Sequence, residues 1–179
     1  MGFAGQRPSA ADVLGRVELL FVENVDAVFN VASRVVWNRI DAEDVVQRTF
    51  VKALSRLDQL NDPARARPWL LQIAYREAIA VIRSRREVPT DPGAMPDSAA
   101  AALGPADFAV ASNVARIVHG ALQSMDMDER LAVVLRDVEQ LPMKSVAEVL
   151  DVGLSAAKMR VHRGRASLRV LLSTESVRR

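Results

Sequence analysis

The feature that most constrains the fold is a basic helical pattern near the C-terminus, at residues 155–172. This stretch contains five basic residues and no acidic residue. Its small and apolar residues recur at the 3.6-residue period of an α-helix. They predict one buried face, made by Ala157, Val161, Gly164, Leu168 and Leu172. Ser155 is the predicted N-cap, because its hydroxyl can accept a backbone N–H that the first turn leaves unpaired.

The opposite face of this predicted helix has the character of a DNA-reading surface. Its ridge carries Ser155, Met159, His162 and Ala166, and its flanks carry Lys158, Arg160, Arg163 and Arg169. Small or polar side chains can contact base edges in the major groove while the flanking cations contact phosphates. The net charge of the chain is only +2, so any nucleic-acid surface has to come from such uneven placement of charge. A solvated basic helix would show the same pattern, and both interpretations stay open for this helix alone.

A second short helix is predicted immediately upstream, at residues 143–150. Asp151, Val152 and Gly153 separate it from the basic helix. Glycine would be the easiest residue at the position of Asp151, but aspartate tolerates the left-handed backbone region better than most residues. Two helices joined by so short a turn, the second of them basic, predict a helix-turn-helix in preference to a generic helical hairpin.

The composition limits the kinds of protein that the chain can be. At 179 residues, half of them hydrophobic, it can bury the core of one ordinary domain or two small ones. It has no cysteine and only two histidines, so we expect no disulfide and no metal site. No Gly-rich phosphate loop or catalytic constellation occurs, which predicts a binding protein without cofactor or enzymatic activity. Without an apolar run of about 18 residues or a signal-peptide pattern, we expect a cytoplasmic protein with no membrane insertion.

Helical periodicity also organises the N-terminal part of the chain. Residues 12–38 predict one long or two consecutive amphipathic helices. The next helix has Asp41 as its predicted N-cap, and its predicted buried stripe is Ala42, Val46, Thr49, Phe50, Ala53 and Leu57. Its reverse face presents a row made by Asp44, Gln47, Arg48 and Val51. A mixed polar and apolar row is typical of a protein-docking surface, although scattered exposed valines are also ordinary.

A turn-rich loop at residues 60–68 leads into a third predicted helix, which ends near residue 86. Its core arc is Leu70, Leu71, Ala74, Ala78, Val81 and Ile82, and its other side carries Trp69, Gln72, Ile73, Arg76, Ala80 and Arg83. An aromatic residue among arginines, next to Arg65 and Arg67 of the loop, resembles a platform for single-stranded nucleic acid. The alternative is that Trp69 seals the core and that the arginines are solvated.

The composition changes between the third helix and the C-terminal helices. Residues 87–115 contain no Lys or Arg and hold four of the 8 prolines, which is typical of a flexible linker. Residues 114–122 and 127–138 then predict two helices that lead into the helix-turn-helix. The predicted fold class is all-α, with two small helical domains at residues 12–88 and 112–174 joined by a flexible linker at residues 89–111.

Three stretches, in this order, resemble one family, the extracytoplasmic-function (ECF) sigma factors of bacterial RNA polymerase, group IV of the sigma-70 family. Residues 41–54 (DAEDVVQRTFVKAL) are similar to the segment of sigma region 2 that docks on the polymerase. Residues 67–86 (RPWLLQIAYREAIAVIRSRR) are similar to its promoter-melting helix, and residues 130–172 are similar to region 4. The resemblance implies a sigma factor that binds core RNA polymerase and directs promoter recognition, DNA melting and transcription initiation.

The resemblance also implies partners and site residues. The clamp helices of the largest polymerase subunit would contact Asp41, Asp44, Gln47, Arg48 and Val51. The minus-ten DNA would contact Asn61, Asp62, Arg65, Arg67, Trp69, Arg76 and Arg83. The minus-thirty-five DNA would contact Ser155, Lys158, Met159, Arg160, His162 and Arg163. Further implied partners are the flap of the second-largest polymerase subunit and an anti-sigma factor.

The chain departs from the usual family pattern at a few of these positions. Arg48 stands where the family usually has an acid, Arg76 where it has Asn, and Ala80 where it has Asp. Residues 156 and 157 are both alanine where Thr-Val is usual. The rival interpretation is a freestanding helix-turn-helix regulator that binds duplex DNA unaided, which leaves the Trp69 helix and the Val51 row unexplained. A third is an interaction module whose basic helix binds an acidic protein.

Overall fold

A computed structural model describes residues 10–87 and 113–177, here called the N-terminal and C-terminal halves. These residues form seven α-helices, and no strand occurs among them. The all-α prediction is therefore confirmed. The linker predicted at residues 89–111 lies outside the described residues.

Three helices make the N-terminal half: α1 (Ala10–Val36), α2 (Arg39–Ser55) and α3 (Ala66–Glu87). The helical pattern at residues 12–38, which predicted one long or two consecutive helices, thus forms one long helix. Short 3-10 turns at Leu57–Gln59 and Pro63–Arg65 fill the connection between α2 and α3.

The start of α2 differs from the prediction. Asn38, not Asp41, is the N-cap, and its side-chain oxygen accepts the Asp41 backbone N–H at 3.1 Å. Asp41 lies inside the first turn, where its carboxylate suits the positive end of the helix dipole and pairs with Arg85 of α3. The carboxylate of Asp41 therefore ties α2 to α3.

The core of the N-terminal half follows the predicted stripes closely. Every residue of the α2 stripe is buried, together with Val45, and the arc on α3 is buried except for the partly exposed Ile82. Ile73 was predicted on the polar side of α3 but is only 7% exposed. Burial of Ile73 widens the apolar face of α3, so that α3 meets more than one neighbouring surface.

Four helices make the C-terminal half: α4 (Asn113–Gln123), α5 (Met127–Val133), α6 (Met143–Val149) and α7 (Leu154–Val177). Asp126 caps α5 by accepting the backbone N–H groups of Asp128 and Glu129 at 2.9 and 3.2 Å. The single helix predicted at residues 127–138 is α-helical only to Val133 and continues as one π-helical turn, Val134–Val138.

The turn between α6 and α7 has the predicted backbone geometry. Asp151 has a φ of 54°, and the backbone N–H of Val152 reaches back to the carbonyl of Ala147 at 3.0 Å. This pairing is that of a left-handed helix end. The predicted N-cap Ser155 is wrong: α7 begins at Leu154, and the Gly153 carbonyl accepts the Ala157 N–H, so Ser155 lies in the first turn.

Gly164 allows α7 to cross α5 at close range. A Cβ at this position would lie 2.6 Å from the backbone oxygen of Glu129 and 2.6 Å from Cγ2 of Val133. The predicted buried face of α7 is confirmed at Ala157, Val161 and Gly164, whereas Leu168 and Leu172 of the same face are only half-buried. The second helix of the helix-turn-helix is thus held against α5 by a backbone approach that only glycine permits.

The two halves pack against each other, which the sequence did not indicate. One apolar core contains residues of both halves. Trp37, in the left-handed region at φ 52°, follows α1 and lies between two groups of the C-terminal half. The Arg130 guanidinium sits 4.7 Å from its ring centroid, and the His119 ring meets it edge-on at 5.0 Å. A left-handed backbone is costly for so bulky a residue, and these contacts offset that cost.

Candidate nucleic-acid and protein interfaces

The outer face of α7 is free of the fold's own packing. Ser155, Met159, His162 and Ala166 are all exposed, as predicted. Lys158 and Arg163 flank this ridge and are exposed as well. Within the described residues, Lys158, His162 and Arg163 make no ion pair and no side-chain hydrogen bond. The ridge and these flanks are therefore available to a ligand.

Two other cations of α7 are held by acids of the preceding helices. Arg160 pairs with Asp128 at 2.7 Å. Arg165 makes a two-pronged contact with Asp137, from Nε at 2.9 Å and from Nη2 at 2.5 Å. This hydrogen bonding from Arg165 holds the pKa of Asp137 below its usual value. These pairs fix α7 against the π-helical turn and α5, so that the outer face of α7 has a set orientation.

The predicted docking row on α2 is exposed to solvent. Val51 is 67% exposed, Gln47 and Arg48 are exposed, and Arg48 pairs with Asp44 along the helix at 2.7 Å. The structure extends this row in both directions, because Ile40 and Leu54 are 73% and 46% exposed at the same helical spacing. Sequence reasoning missed these two residues, although the i, i+3, i+4 spacing that found the row also includes them.

The loop before α3 and the start of α3 enclose a cavity of about 180 Å³. Its lining includes Asn61, Asp62, Arg65 and Trp69. Asp62 caps the 3-10 turn by accepting the Ala64 N–H at 3.0 Å, which fixes the shape of the loop. Trp69 is partly buried, and it both packs on the core and lines the cavity. The two interpretations of Trp69 are thus compatible: its ring supports the core and also faces a recess.

The arginines predicted to contact DNA are partly engaged within the chain. Arg65 pairs with Glu148 at 3.0 Å, Arg67 with Glu139 at 2.5 Å, and Arg76 with Asp151 at 3.6 Å. All three acids belong to the C-terminal half. Arg83 is exposed and lines a groove that also contains the Arg76–Asp151 pair, Tyr75, Ile79 and Leu150.

These contacts involve residues that the sequence did not single out. Gln72 donates to the backbone oxygen of Glu148 at 2.7 Å, and Asn30 donates to Glu139 at 3.3 Å. The partners are 76 and 109 positions apart. Local periodicity carries no signal for pairs this distant, so no sequence pattern could have found them.

The two described halves contain no group of three or more His, Cys, Asp or Glu side chains placed to hold a metal ion. Among the helices for which coordinates are described, none is both long and apolar enough to cross a membrane.

Taken together, the fold and these surfaces define a helix-turn-helix protein of the nucleic-acid-binding class, in which a second helical domain precedes the DNA-reading one. The comparisons with known families go further. The sigma-70 region 2 family matches residues 20–88, and the sigma-70 region 4 family matches residues 115–168. A relative that is 31% identical is also matched over 88% of its length, so the chain belongs to the ECF family of RNA polymerase sigma factors.

Individual relatives agree with this assignment. RNA polymerase sigma factor CarQ of Myxococcus xanthus is 31% identical over 155 residues, covering 87% of this chain and 88% of that protein. The ECF sigma factor SigE of Mycolicibacterium smegmatis is 31% identical over 159 residues, covering 86% of this chain. The match spans only 60% of the length of SigE. ECF sigma factor SigW of Bacillus subtilis is 26% identical, covering 80% of this chain and 82% of that protein.

Two solved structures are similar in fold. The sigma factor RpoE in complex with the anti-sigma factor NepR, from Bartonella quintana, has a TM-score of 0.73 at 25% identity and covers 90% of this chain and 97% of that chain. CnrH in complex with the cytosolic domain of CnrY has a TM-score of 0.64 at 26% identity and covers 88% of both chains.

The function follows from the family. The chain binds core RNA polymerase and promoter DNA and directs promoter-specific initiation of transcription. The region 2 match over residues 20–88 favours this function over a freestanding helix-turn-helix regulator, which would have no use for that domain.

Proposed function

We propose that the exposed row on α2 is the surface that docks on core RNA polymerase, through the clamp helices of its largest subunit. The observation that supports this proposal is that α2 has one buried face and one exposed face. One face is buried in the core, whereas Gln47, Arg48 and the 67% exposed Val51 take no part in it. Ile40 and Leu54 add apolar area to the row, and a docking surface needs such area at its centre. Asp41 is proposed to act indirectly, because its carboxylate is paired with Arg85.

The loop and the exposed side of α3 are proposed to hold the minus-ten DNA. A base displaced from the duplex would enter the cavity beside Trp69 and Asn61, while Arg65 and Arg67 contact the backbone of the strand. Arg76 and Arg83, further along α3, would continue this contact. Arg76 and Ala80 differ from the usual family residues, and the proposal is that they alter the preferred minus-ten sequence.

The outer face of α7 is proposed to read the minus-thirty-five DNA in the major groove. Met159 and His162, on the exposed ridge, would contact base edges, and Lys158 and Arg163 would contact phosphates. Ser155 lies in the first turn of α7, where recognition helices approach base edges. Arg160 would contribute to DNA binding only after release from Asp128.

We also propose a mode of action, a location and two further partners. The protein acts by binding alone, in the cytoplasm, without cofactor or catalysis. Its C-terminal half also contacts the flap of the second-largest polymerase subunit. By likeness to RpoE with NepR and to CnrH with CnrY, an anti-sigma factor is a further partner.

The docking surface is tested by the double variant Gln47→Ala with Val51→Asp. Surface changes away from caps and cores usually shift stability by about 0.5 kcal/mol or less, whereas truncating central contacts of an interface costs more than about 1 kcal/mol each. We therefore expect the double variant to melt like the wild type and to lose both co-purification with core polymerase and run-off transcription.

A matched control is Val114→Asp on α4, since Val114 and Val51 are both 67% exposed. This control should keep polymerase binding. The docking assignment is wrong if the double variant still co-purifies with core polymerase and starts transcripts, or if both variants fail equally.

A further inference from the structure

A second cavity lies where the end of α1 and the start of α2 meet α4. It has a volume of about 90 Å³, and its lining includes Arg34, Trp37, Arg39 and His119. No Asp or Glu occurs among the described residues that line it. Arg39 also pairs with Glu43 at 2.9 Å, but both of these side chains are exposed. The wall of the cavity is therefore rich in positive charge and in hydrogen-bond donors.

The guanidinium of Arg34 uses only part of its hydrogen-bonding capacity within the fold. Its Nη1 donates to the backbone oxygen of Asn30 at 3.0 Å and to the side-chain oxygen of Asn30 at 3.3 Å. Its Nε is buried, and within the described residues neither Nε nor Nη2 makes a hydrogen bond. Nε and Nη2 form one edge of the guanidinium, and this edge can hold an oxyanion through two parallel hydrogen bonds.

A further cation lies on the other side of Trp37. The Arg130 guanidinium sits 4.7 Å from the centroid of the Trp37 ring, which the His119 ring meets edge-on. Nη1 of Arg130 donates to three backbone oxygens at the end of α4 rather than to a carboxylate, and its Nε is buried without a partner in the described residues. Three basic side chains thus surround one indole.

The pKa values of these groups show that nearby acids neutralise them incompletely. Burial lowers the pKa of Arg34 and lowers that of Arg130 to about 10, although Glu139 and Asp126 act in the opposite direction. Burial, and then the positive charge of Arg34, lower the pKa of His119. A bound anion would stabilise the charged form of all three groups.

The volume of the cavity limits the size of a ligand. A water molecule takes about 30 Å³ in the liquid, so the cavity has room for roughly three waters or for one small ion. Sites for nucleotides and drug-sized molecules are usually about 300–1,000 Å³. Phosphate and sulfate are small tetrahedral ions, and their oxygens suit a wall made of donors. The cavity is too small to enclose a nucleotide.

We propose that this cavity binds a free tetrahedral oxyanion, inorganic phosphate, on the Nε and Nη2 edge of Arg34. Arg39 and His119 supply further donors, so the ion connects the turn between α1 and α2 to α4. None of the residues assigned above to polymerase or DNA lines this cavity. The proposal therefore stands or falls independently of those assignments.

The two histidines of the chain allow a direct test, because His119 lines the cavity and His162 lies on the exposed ridge of α7. Proton NMR resolves their ring C–H signals in the full-length chain, and His162→Ala assigns them. Inorganic phosphate, and sulfate in a second series, are titrated at pH 7.5 in a HEPES buffer whose ionic strength is held constant with sodium chloride. We expect the His119 signal to shift and saturate with a dissociation constant of about 1 mM for either ion. The signal of His162 should show no saturation. A His119 signal that stays unchanged, or equal drift of both signals, would overturn the proposal.

Two variants test the residues that hold the ion. Arg34→Lys keeps the charge but loses the two-pronged edge, and we expect it to bind phosphate at least about fivefold more weakly. Arg39→Gln changes an exposed residue, which leaves the core intact, and should weaken binding at least about threefold. Arg16→Gln is the matched control, since Arg16 is also exposed and lies outside the cavity; it should bind like the wild type. Circular dichroism verifies that each variant is folded. Wild-type affinity in both cavity variants, or an equal loss in Arg39→Gln and Arg16→Gln, contradicts the assignment.

A last titration distinguishes the free ion from a phosphate group carried by a larger molecule. Glycerol 3-phosphate presents the same group on a body that exceeds the cavity. We expect it to bind at least about threefold more weakly than inorganic phosphate, as judged by the His119 signal. Equal or tighter binding of the ester would refute the assignment to the free ion.

Discussion

Gly164→Ala is the substitution whose effect the structure specifies most closely. The added Cβ would lie 2.6 Å from the Glu129 backbone oxygen and 2.6 Å from Cγ2 of Val133, with the Glu129 carbonyl carbon at 3.1 Å. Ordinary contacts of a Cβ begin at 3.4 Å. Val133 can rotate, but the backbone of α5 cannot, so α7 has to move away from α5 by most of an ångström.

Two effects of opposite sign set the magnitude. Alanine is favoured over glycine in a helix interior by about 1 kcal/mol. Overpacking a well-filled contact costs about 1–3 kcal/mol, and a clash with backbone belongs at the upper end of that range. We expect a net destabilisation of about 1–2 kcal/mol. For a chain of this size that melts as one unit, each kcal/mol lowers Tm by about 2–4 °C.

Gly120→Ala on α4 is the matched control, because no other atom lies within 4 Å of its added Cβ. It should keep or raise Tm, since only the helix preference acts there. Thermal melting followed by circular dichroism, together with urea unfolding, measures both variants. The close approach of α7 to α5 is refuted as a source of stability if Gly164→Ala melts at or above the wild type.

Three further predictions concern the two proposed DNA surfaces and the pH dependence of stability. Lys158→Ala and Arg163→Ala should each weaken holoenzyme binding to minus-thirty-five DNA equally for all sequences, and should lower the slope of log affinity against log salt concentration by about one. His162→Ala should instead change the preferred sequence. Selection from a promoter library checks both expectations. Trp69→Ala should weaken binding of the non-template strand by roughly 1–3 kcal/mol, and a large loss of Tm with normal strand binding by the folded fraction would contradict stacking. Burial, and to a lesser extent the positive charge of Arg34, lower the pKa of His119. As the pH drops below about 6.5, the unfolded chain therefore binds a proton at His119 before the folded chain does, and the free energy of unfolding should fall. In urea titrations at several pH values, His119→Phe should remove that decline.

The parts of the fold that the sequence predicts are those that depend on local spacing. The stripe of α2 is buried at every predicted residue, and the arc of α3 and the face of α7 are buried except for Ile82, Leu168 and Leu172, which are half-buried. Helical periodicity places such residues without reference to the rest of the chain. The left-handed turn at Asp151 is confirmed as well, because it depends on the short spacer between two helices and on the tolerance of Asp for this backbone region. The exposure of the α2 row and of the α7 ridge follows as the reverse side of these faces.

Helix starts were predicted less well, for a physical reason. Asn38 and Asp41 are both good caps, and the sequence alone does not rank them. The left-handed backbone of Trp37 ends α1 and leaves Asn38 extended, with a φ of −140°, so Asn38 takes the cap. At α7 the left-handed Asp151 likewise sets where the helix can start, ahead of Ser155. Tertiary geometry decided both cases.

The contact between the two halves lay beyond sequence reasoning altogether. Arg67 and Glu139 look like ordinary solvated charges in their own helices. Their pairing depends on how one half is placed on the other, and no local pattern encodes that placement. The same holds for Gln72 and the backbone of Glu148.

The positions of the two tryptophans have a practical consequence. The chain has only Trp37 and Trp69, and both lie where the halves meet. Trp37 is covered by Arg130 and His119, while Trp69 lines the recess that Glu148 closes. Separation of the halves would expose both indoles to water together. The unlabelled protein therefore carries its own optical gauge of the contact between the halves, which tryptophan fluorescence can follow during urea unfolding.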